Sequence, residues 1–384
     1  MRLNDLPRYW HTLKYLKPVQ FYGRLYFRLA RPKPCLAAPP AQRAARGEWR
    51  LPACRQPSLI GPRAFWFLNV AGDLDEVGWD GAEREKLWRY NQHYFDDLNA
   101  RDAGSRGDWH AGLIADWIAA NPPGSGSGWE PYPTSLRIVN WVKWSLAGHE
   151  LPDAVRHSLA VQARWLRRRL EWHLLGNHLF ANAKALIFAG CYFEGAEASA
   201  WLDKGLAILE TELPEQILPD GGQFERSPMY HALAVEDVLD LINVFRACPD
   251  AVPQTWRSWT GALPELASRM LDWLAVMCHP DGEIAFFNDA AIGIAPSPQE
   301  LADYAARLGV QRQVGTEAQP SARQSLGGPS NADRPEVGPS SDAVTVRHLA
   351  ESGYIRLAAP QAVALLDVAP IGPDYLPGHA HADT

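Results

Sequence analysis

The chain has no run of about 18 apolar residues, the length a helix needs to cross a bilayer, so a transmembrane helix is excluded. Its 5 cysteines, Cys35, Cys54, Cys191, Cys248 and Cys278, are odd in number, scattered, and form no CxxC pair. That excludes a disulfide scaffold and favours free thiols in a reducing compartment. The start, MRLNDLPRYWHTLKYLKPVQ, lacks the apolar centre of a signal peptide, because Asp5, Arg8, Lys14 and Lys17 interrupt every apolar stretch. A cytoplasmic location is therefore expected, with the periplasm as the alternative. No nucleic-acid-binding motif is visible and the net charge is −7, so nucleic acid is not an expected partner. With 47% hydrophobic and 21% charged residues, the collagen-like and disordered classes are excluded as well.

At roughly 100–200 residues per domain, 384 residues allow two domains, or one large domain with an appendage. The charge is uneven. Residues 1–60 hold 12 Lys and Arg against 2 Asp and Glu, so the remainder is strongly acidic. A basic arm can grip an anionic partner, or it can be the solvated face of amphipathic helices. Residues 1–80 read as this basic helical or extended arm.

The first 310 residues read mainly as helices. Val19, Tyr22, Leu25, Tyr26 and Leu29 repeat at helical spacing. Further helical stretches fall near 82–100, 109–120, 134–148, 154–171, 178–192, 197–212, 229–247, 260–278 and 298–309. Gly, Pro and Asp punctuate them, as in NPPGSGSG at 121–128 and LPDGG at 218–222. Roughly ten helices on short loops predict stacked helical hairpins over 81–312. Residues 313–343, rich in Gly, Pro, Ser and Ala, read as a flexible linker. The period then changes: VTVRHL, YIRL and AVALLDVA are short strands, with Ser352-Gly353 as a turn between the first two. A β region therefore begins near 344.

Five segments could carry chemistry. In GNHLFANAKAL, Asn177 and His178 sit where a helix starts. Asn177 is either an N-cap or, with His178, a polar pair at a positive helix end suited to a carboxylate. Asn182 reads as a packing residue. In DGGQFERSPMYHAL, Ser227-Pro228 is a helix-start signature, which puts Tyr230 in the first turn, where the helix end favours its anionic form. The glycine pair before it would let the loop approach a ligand. Arg226 is a candidate substrate contact, unless it simply pairs with Glu225. In WEPYPTSLRIVNWVKW, Trp141 and Trp144 read as core. Trp129 and Tyr132 read as loop aromatics able to stack on sugar rings, and Arg137 as either a structural ion pair or a fork for an acidic group. In GHAHADT, His379, His381 and Asp383 alternate, so on a strand they share one face that could hold a base or a metal. Finally, Asp281, Glu283 and Asp289 invite a two-carboxylate hydrolase reading, although HPDG is also a plain turn.

Taken together, GNHLFANAKAL, the tyrosine of DGGQFERSPMYH and GHAHAD, in that order, resemble the heparinase II/III family of polysaccharide lyases and the related alginate lyases, over about residues 80–384. The resemblance implies an incomplete (α/α) toroid followed by an antiparallel β-sandwich. It implies β-elimination on a uronic-acid polysaccharide. Asn177 and His178 would neutralise the substrate carboxylate. Tyr230 would protonate the leaving oxygen, or also remove the proton, and His379 would be the general base. His381 matches a position that binds structural zinc in some members; no cofactor is required for the reaction itself. The remaining ligands of such members lie beyond the matching histidine, so zinc is expected to bind weakly or not at all to residues 1–384. The β portion, 344–384, is expected to be only the beginning of its domain, in a truncated form of a longer protein. The competing readings are a hydrolase using Asp281, Glu283 or Asp220, and a non-catalytic polysaccharide-binding protein of a capsule or exopolysaccharide pathway. The sequence specifies no oligomeric state.

Overall fold

The computed structural model describes residue 10, residues 13–312 and residues 344–376. Its helices begin where local chemistry tells them to. Ser227 and Ser297 each accept the backbone N–H three residues on, at 3.5 and 3.2 Å, and a proline follows each at the first helical position. The serine satisfies an orphan donor, and the proline has no N–H to leave unpaired.

The elements run in a simple order. Helix α1 spans Pro18–Leu29. A hairpin of β1 (Ala64–Phe67) and β2 (Val70–Asp73) leads to α2 (Leu74–Val77). Then come α3 (Lys86–Tyr94), α4 (Gly107–Ala120), α5 (Pro131–Leu146), α6 (Asp153–Arg167), α7 (Gly176–Tyr192) and α8 (Ala196–Gln216). Helices α9 (Pro228–Ala247), α10 (Arg257–Val276) and α11 (Pro298–Arg307) complete the helical body. Strands β3 (Thr345–Leu349), β4 (Tyr354–Ala359) and β5 (Ala362–Asp367) form an antiparallel sheet in that order, with His348 opposite Ile355 and Arg356 opposite Leu365. This is the expected arrangement: mainly α, hairpins of an incomplete toroid, then an antiparallel sheet.

Helix α7 is the hub, packing against α5, α6, α8 and α9. Every residue from Leu179 to Tyr192 is buried. Two glycines let α8 lie close. A Cβ on Gly205 would sit 2.6 Å from the Ala183 carbonyl oxygen, and one on Gly190 would sit 2.7 Å from the Leu202 nitrogen. The α4–α5 layer is built from aromatics. Trp117 packs on Trp129 and Trp141 at centroid separations of 5.7 and 5.8 Å, and truncating such a buried ring costs about 3–5 kcal/mol.

Between α5, α7 and α9 lies a buried ionic cluster. Asp240 accepts from Lys143 and Lys184, both at 2.5 Å, and from the Tyr304 hydroxyl at 3.0 Å. Lys184 also meets Asp237 at 2.7 Å, and Arg55 meets Glu236 at 2.5 Å. Burial raises the cost of the Asp240 carboxylate, yet the two ammonium groups hold its pKa below the usual range.

The sheet is stapled to the helical body. Asp220 accepts the Ser352 backbone N–H and hydroxyl, both at 2.8 Å, and the Trp273 indole donates to the same hydroxyl at 2.8 Å. The glycine pair expected to approach a ligand serves this junction. A Cβ on Gly222 would lie 2.6 Å from the Trp273 indole nitrogen, and one on Gly221 would lie 2.5 Å from the Arg269 carbonyl oxygen.

Two buried histidines make the fold acid-sensitive. Burial depresses His93 to about 3, with Arg137 adding to the effect, and depresses His231 to about 4. His93 accepts the Trp117 indole N–H at 3.0 Å, a bond that needs a neutral ring. An unfolded histidine titrates near 6.5. Folded pKa values below the unfolded one mean that stability is complete above about pH 6.5 and is lost as pH falls towards 4 and then 3. The melting temperature should drop clearly between pH 7 and pH 4.5; an unchanged value would contradict this account.

Candidate active site

The first turn of α7 is made by an unusual entry. Leu175 is the N-cap, with φ of 64° and no side-chain cap bond, and Gly176 follows with φ of 52°. Asn177 is therefore not the N-cap allowed for by the sequence. It occupies the second helical position, is half-buried, and its amide makes no hydrogen bond among the described residues.

His178, next along the turn, is held from two sides. Its ring lies 4.6 Å from that of Tyr132. Its Nδ1 lies 3.3 Å from a carboxylate oxygen of Glu171, which fixes the ring, and its Nε2 has no partner among the described residues. Glu171 is itself fixed. The fully buried Asn182 donates to its other oxygen at 3.0 Å and accepts its backbone N–H at 2.8 Å. Asn182 also donates to Ser135 at 3.1 Å, tying the group to α5. Asn182, read from sequence as packing, is thus the anchor of the carboxylate that orients His178. Glu171 itself went unnoticed in the sequence, where its only signal is an acid seven residues before the histidine.

Tyr132 continues into an aromatic wall. Its ring is 6.0 Å from Tyr94, which is 6.5 Å from Tyr90, and Tyr90 donates to Glu130, which also meets Lys86 at 2.9 Å. Tyr132 is half-buried in the first turn of α5 and not in a loop. Trp129 and Arg137, read as candidate substrate contacts, are both buried. Trp129 is 3% exposed at the end of a short turn, donating to the Asn121 carbonyl. Arg137 is 0% exposed, lies 3.8 Å from the Trp117 ring centroid, and donates to Gln162, the His93 carbonyl and Thr134. Burial among partners of the same layer leaves neither side chain a face for a polymer.

The loop before α9 brings the second half of the site. A Cβ on Gly176 would lie 3.8 Å from a Glu225 oxygen, so the starts of α7 and α9 meet. Tyr230 is half-buried in the first turn of α9. The helix end was expected to favour its anion, but burial, then Glu225 and Asp289, push the phenol up to about 12. Desolvation and two nearby carboxylates outweigh the helix end. Arg226 has φ of 62° and donates to the carbonyls of Pro370 and Ile371 at 2.7 and 3.0 Å, drawing the C-terminal segment across the site. The Arg226 carbonyl accepts from the Tyr354 hydroxyl at 2.8 Å, and Asn288 donates to that hydroxyl at 3.0 Å. Left-handed backbone at Leu175, Arg226, Asn288 and Asp289 therefore gathers around one place, as strain does at working sites. Leu376 rests on Gly176, and Tyr375 donates to Glu215. His379 and His381 lie outside the described residues. Among those described, no cluster of three His, Cys, Asp or Glu could hold a metal ion.

Of the hydrolase candidates, Asp220 and Asp281 hold structural hydrogen bonds, and Glu283 is an exposed side chain that lines a separate cavity. Asp220 staples the sheet, and Asp281 closes a turn by accepting the Glu283 N–H at 3.0 Å. A cavity of about 110 Å³, lined by Cys54, Arg55, Arg101, Glu283 and Glu300, contains none of Asn177, His178 or Tyr230.

Helical hairpins followed by an antiparallel sheet, with the start of α7 meeting the loop before α9, define an incomplete helical toroid with a β region. Residues 108–305 match the Heparinase II/III N-terminus and residues 343–384 match the Heparinase II/III-like, C-terminal domain; the chain belongs to the heparinase II/III family. It is 41% identical over 123 residues to a heparin-sulfate lyase of Bacteroides stercoris, covering 30% of this chain and 17% of the relative. It is 34% identical over 226 residues to a heparin-sulfate lyase of Pedobacter heparinus, covering 52% of this chain and 34% of the relative. A crystal structure of heparinase III superposes with a TM-score of 0.53 at 16% identity, over 97% of this chain and 60% of its own, which shows the shared fold. The chain thus matches about a third or less of each curated relative's length. Among the described residues no helix is long and apolar enough to cross a membrane.

Proposed function

We propose that this chain carries the catalytic machinery of a polysaccharide lyase that cleaves a uronic-acid polymer by β-elimination. The observation that supports it most is the first turn of α7. There an amide without a partner among the described residues, Asn177, stands beside an imidazole whose orientation is set by Glu171 and Asn182.

The C5 proton of a uronate is only weakly acidic. Donors from Asn177 and from a doubly protonated His178, its Nδ1–H held by Glu171 and its Nε2–H given to the substrate, would draw charge onto the substrate carboxylate, where developing negative charge is stabilised in place. A base then takes the C5 proton. The electron pair forms the C4–C5 double bond, the C4–O bond breaks, and the leaving oxygen needs a proton. Tyr230, with its pKa pushed up to about 12, holds its proton at neutral pH and so suits the acid role better than the base role. The base is assigned to His379, which the family resemblance supplies. Tyr132 is the aromatic best placed to face a sugar ring, since its half-buried ring lies against His178, tilted by 47°. The electrons balance without a redox cofactor, and no step is assigned to zinc. The relatives' names point to a sulfated glycosaminoglycan as the first substrate class to try.

Incubation with heparan sulfate, heparin, hyaluronan, chondroitin sulfate and alginate should produce near-ultraviolet absorbance from an unsaturated uronate with at least one polymer. Chain shortening without that absorbance would favour a hydrolase, and tight binding without shortening a binding protein. Asn177→Ala should then slow turnover by the equivalent of about 2.7–4 kcal/mol, the worth of one such donor. Because Asn177 caps nothing, its melting temperature should hardly change. A large loss of melting temperature with normal specific activity would return Asn177 to a structural role.

A further inference from the structure

Helix α1 is built inside out. Its inward face carries Gln20, Gly23 and Phe27. A Cβ on Gly23 would come within 3.1 Å of the His173 backbone, the Gln20 amide donates to the Tyr375 carbonyl, and Phe27 lies 4.3 Å from the His173 ring and under Arg169. Docked this way, the helix cannot turn its apolar side inward. That side, with Phe21, Tyr22, Leu25, Tyr26 and Leu29, is left 48–68% exposed. At about 100° per residue these five share one arc, and Arg24 and Arg28 line one edge of it. Trp10, Leu13 and Tyr15, just before the helix, are exposed too. A contiguous apolar face of this kind marks a contact surface.

The occupant must be both apolar and anionic, because Lys14, Arg24, Arg28, Arg31 and Lys33 lie on or beside the helix with no acidic partner among the described residues, whereas Lys17, Arg46, Arg50 and Arg55 are already paired. A second copy meeting this face symmetrically would bring like charges together. An acidic polysaccharide supplies charge but little for Leu25 and Leu29 to enter. An anionic bilayer supplies both. We propose that α1 is a membrane-surface helix, seated in the interface with its apolar arc towards the acyl boundary and Arg24 and Arg28 against lipid phosphates. This holds whether or not the lyase reading does. Through Gln20 and Tyr375 the same helix touches the segment that rests on the start of α7, so a bound polymer would be handled next to the membrane.

Co-sedimentation of the full chain with phosphatidylcholine vesicles, alone or with 30 mol% phosphatidylglycerol (about one charge per three lipids, typical of an anionic leaflet), tests this. Pelleting should require the anionic lipid and weaken in high salt. Leu25→Ser with Leu29→Ser should lower the partition coefficient by about tenfold or more, as expected when two leucines leave an apolar contact. Arg24→Glu with Arg28→Glu should remove the preference for anionic lipid. Both variants alter only outward side chains, and unchanged melting curves will show that they fold. The proposal is overturned if the wild type does not pellet with the mixed vesicles or if the variants pellet equally. A solution dimer that the double serine variant dissolves, or heparin binding lost in that variant without any vesicle binding, would also overturn it.

Discussion

Tyr230→Phe should remove about 10²–10⁴-fold of turnover on the true substrate, the range of a positioned general acid, while leaving the fold intact. The phenol is half-buried in the first turn of α9, and its backbone N–H, which the substitution keeps, is what caps on Ser227. Burial and the carboxylates of Glu225 and Asp289 keep it protonated, with a pKa pushed up to about 12. The alkaline limb of the rate profile should therefore not show a tyrosine near its ordinary value of about 10. Steady-state kinetics and melting curves on the same variant check both halves. Near-native turnover would take Tyr230 out of the mechanism.

Asp240→Ala should cost about 3–5 kcal/mol of stability, the scale for removing one partner of a buried ion cluster. Asp240 is fully buried and receives Lys143, Lys184 and the Tyr304 hydroxyl, so its loss leaves Lys143 with only Glu236, at 3.6 Å, and Lys184 with only Asp237, at 2.7 Å, between α5, α7 and α9. The sign with pH follows from its depressed pKa. The stabilisation is present above the ordinary carboxylate range and lost on acidification. Chemical denaturation of both proteins at pH 7 measures the difference. A loss under about 1 kcal/mol, within the range of an exposed pair, would show that the cluster is not a keystone.

The helices were readable because their signals are local. Ser227-Pro228 and Ser297-Pro298 cap by themselves, and the apolar spacing along α7 or α9 needs no tertiary context. The β1–β2 hairpin was not readable. Its two-residue turn is Leu68-Asn69, both in the left-handed region, with φ of 52° and 62°. Such turns normally announce themselves by Asn-Gly or Asp-Gly, and a leucine there hides the turn inside an apolar run.

At the site, residue types were legible but partners were not. Nothing in the sequence says that Arg137 meets Gln162 and Trp117 and not solvent, because those groups come from α6 and α4. The Asn177 cap failed because Leu175 takes the N-cap in a conformation a leucine rarely adopts. The helix-end argument for Tyr230 failed because desolvation depends on packing between α9 and the loops around it, which periodicity does not encode.

The central claim, elimination and not hydrolysis, is tested most directly by mass spectrometry of products made in oxygen-labelled water. A lyase breaks the C4–O bond without adding water. The account therefore predicts products with no label and an unsaturated uronate at the new non-reducing end. Products that carry one labelled oxygen per cleavage and no double bond would contradict it.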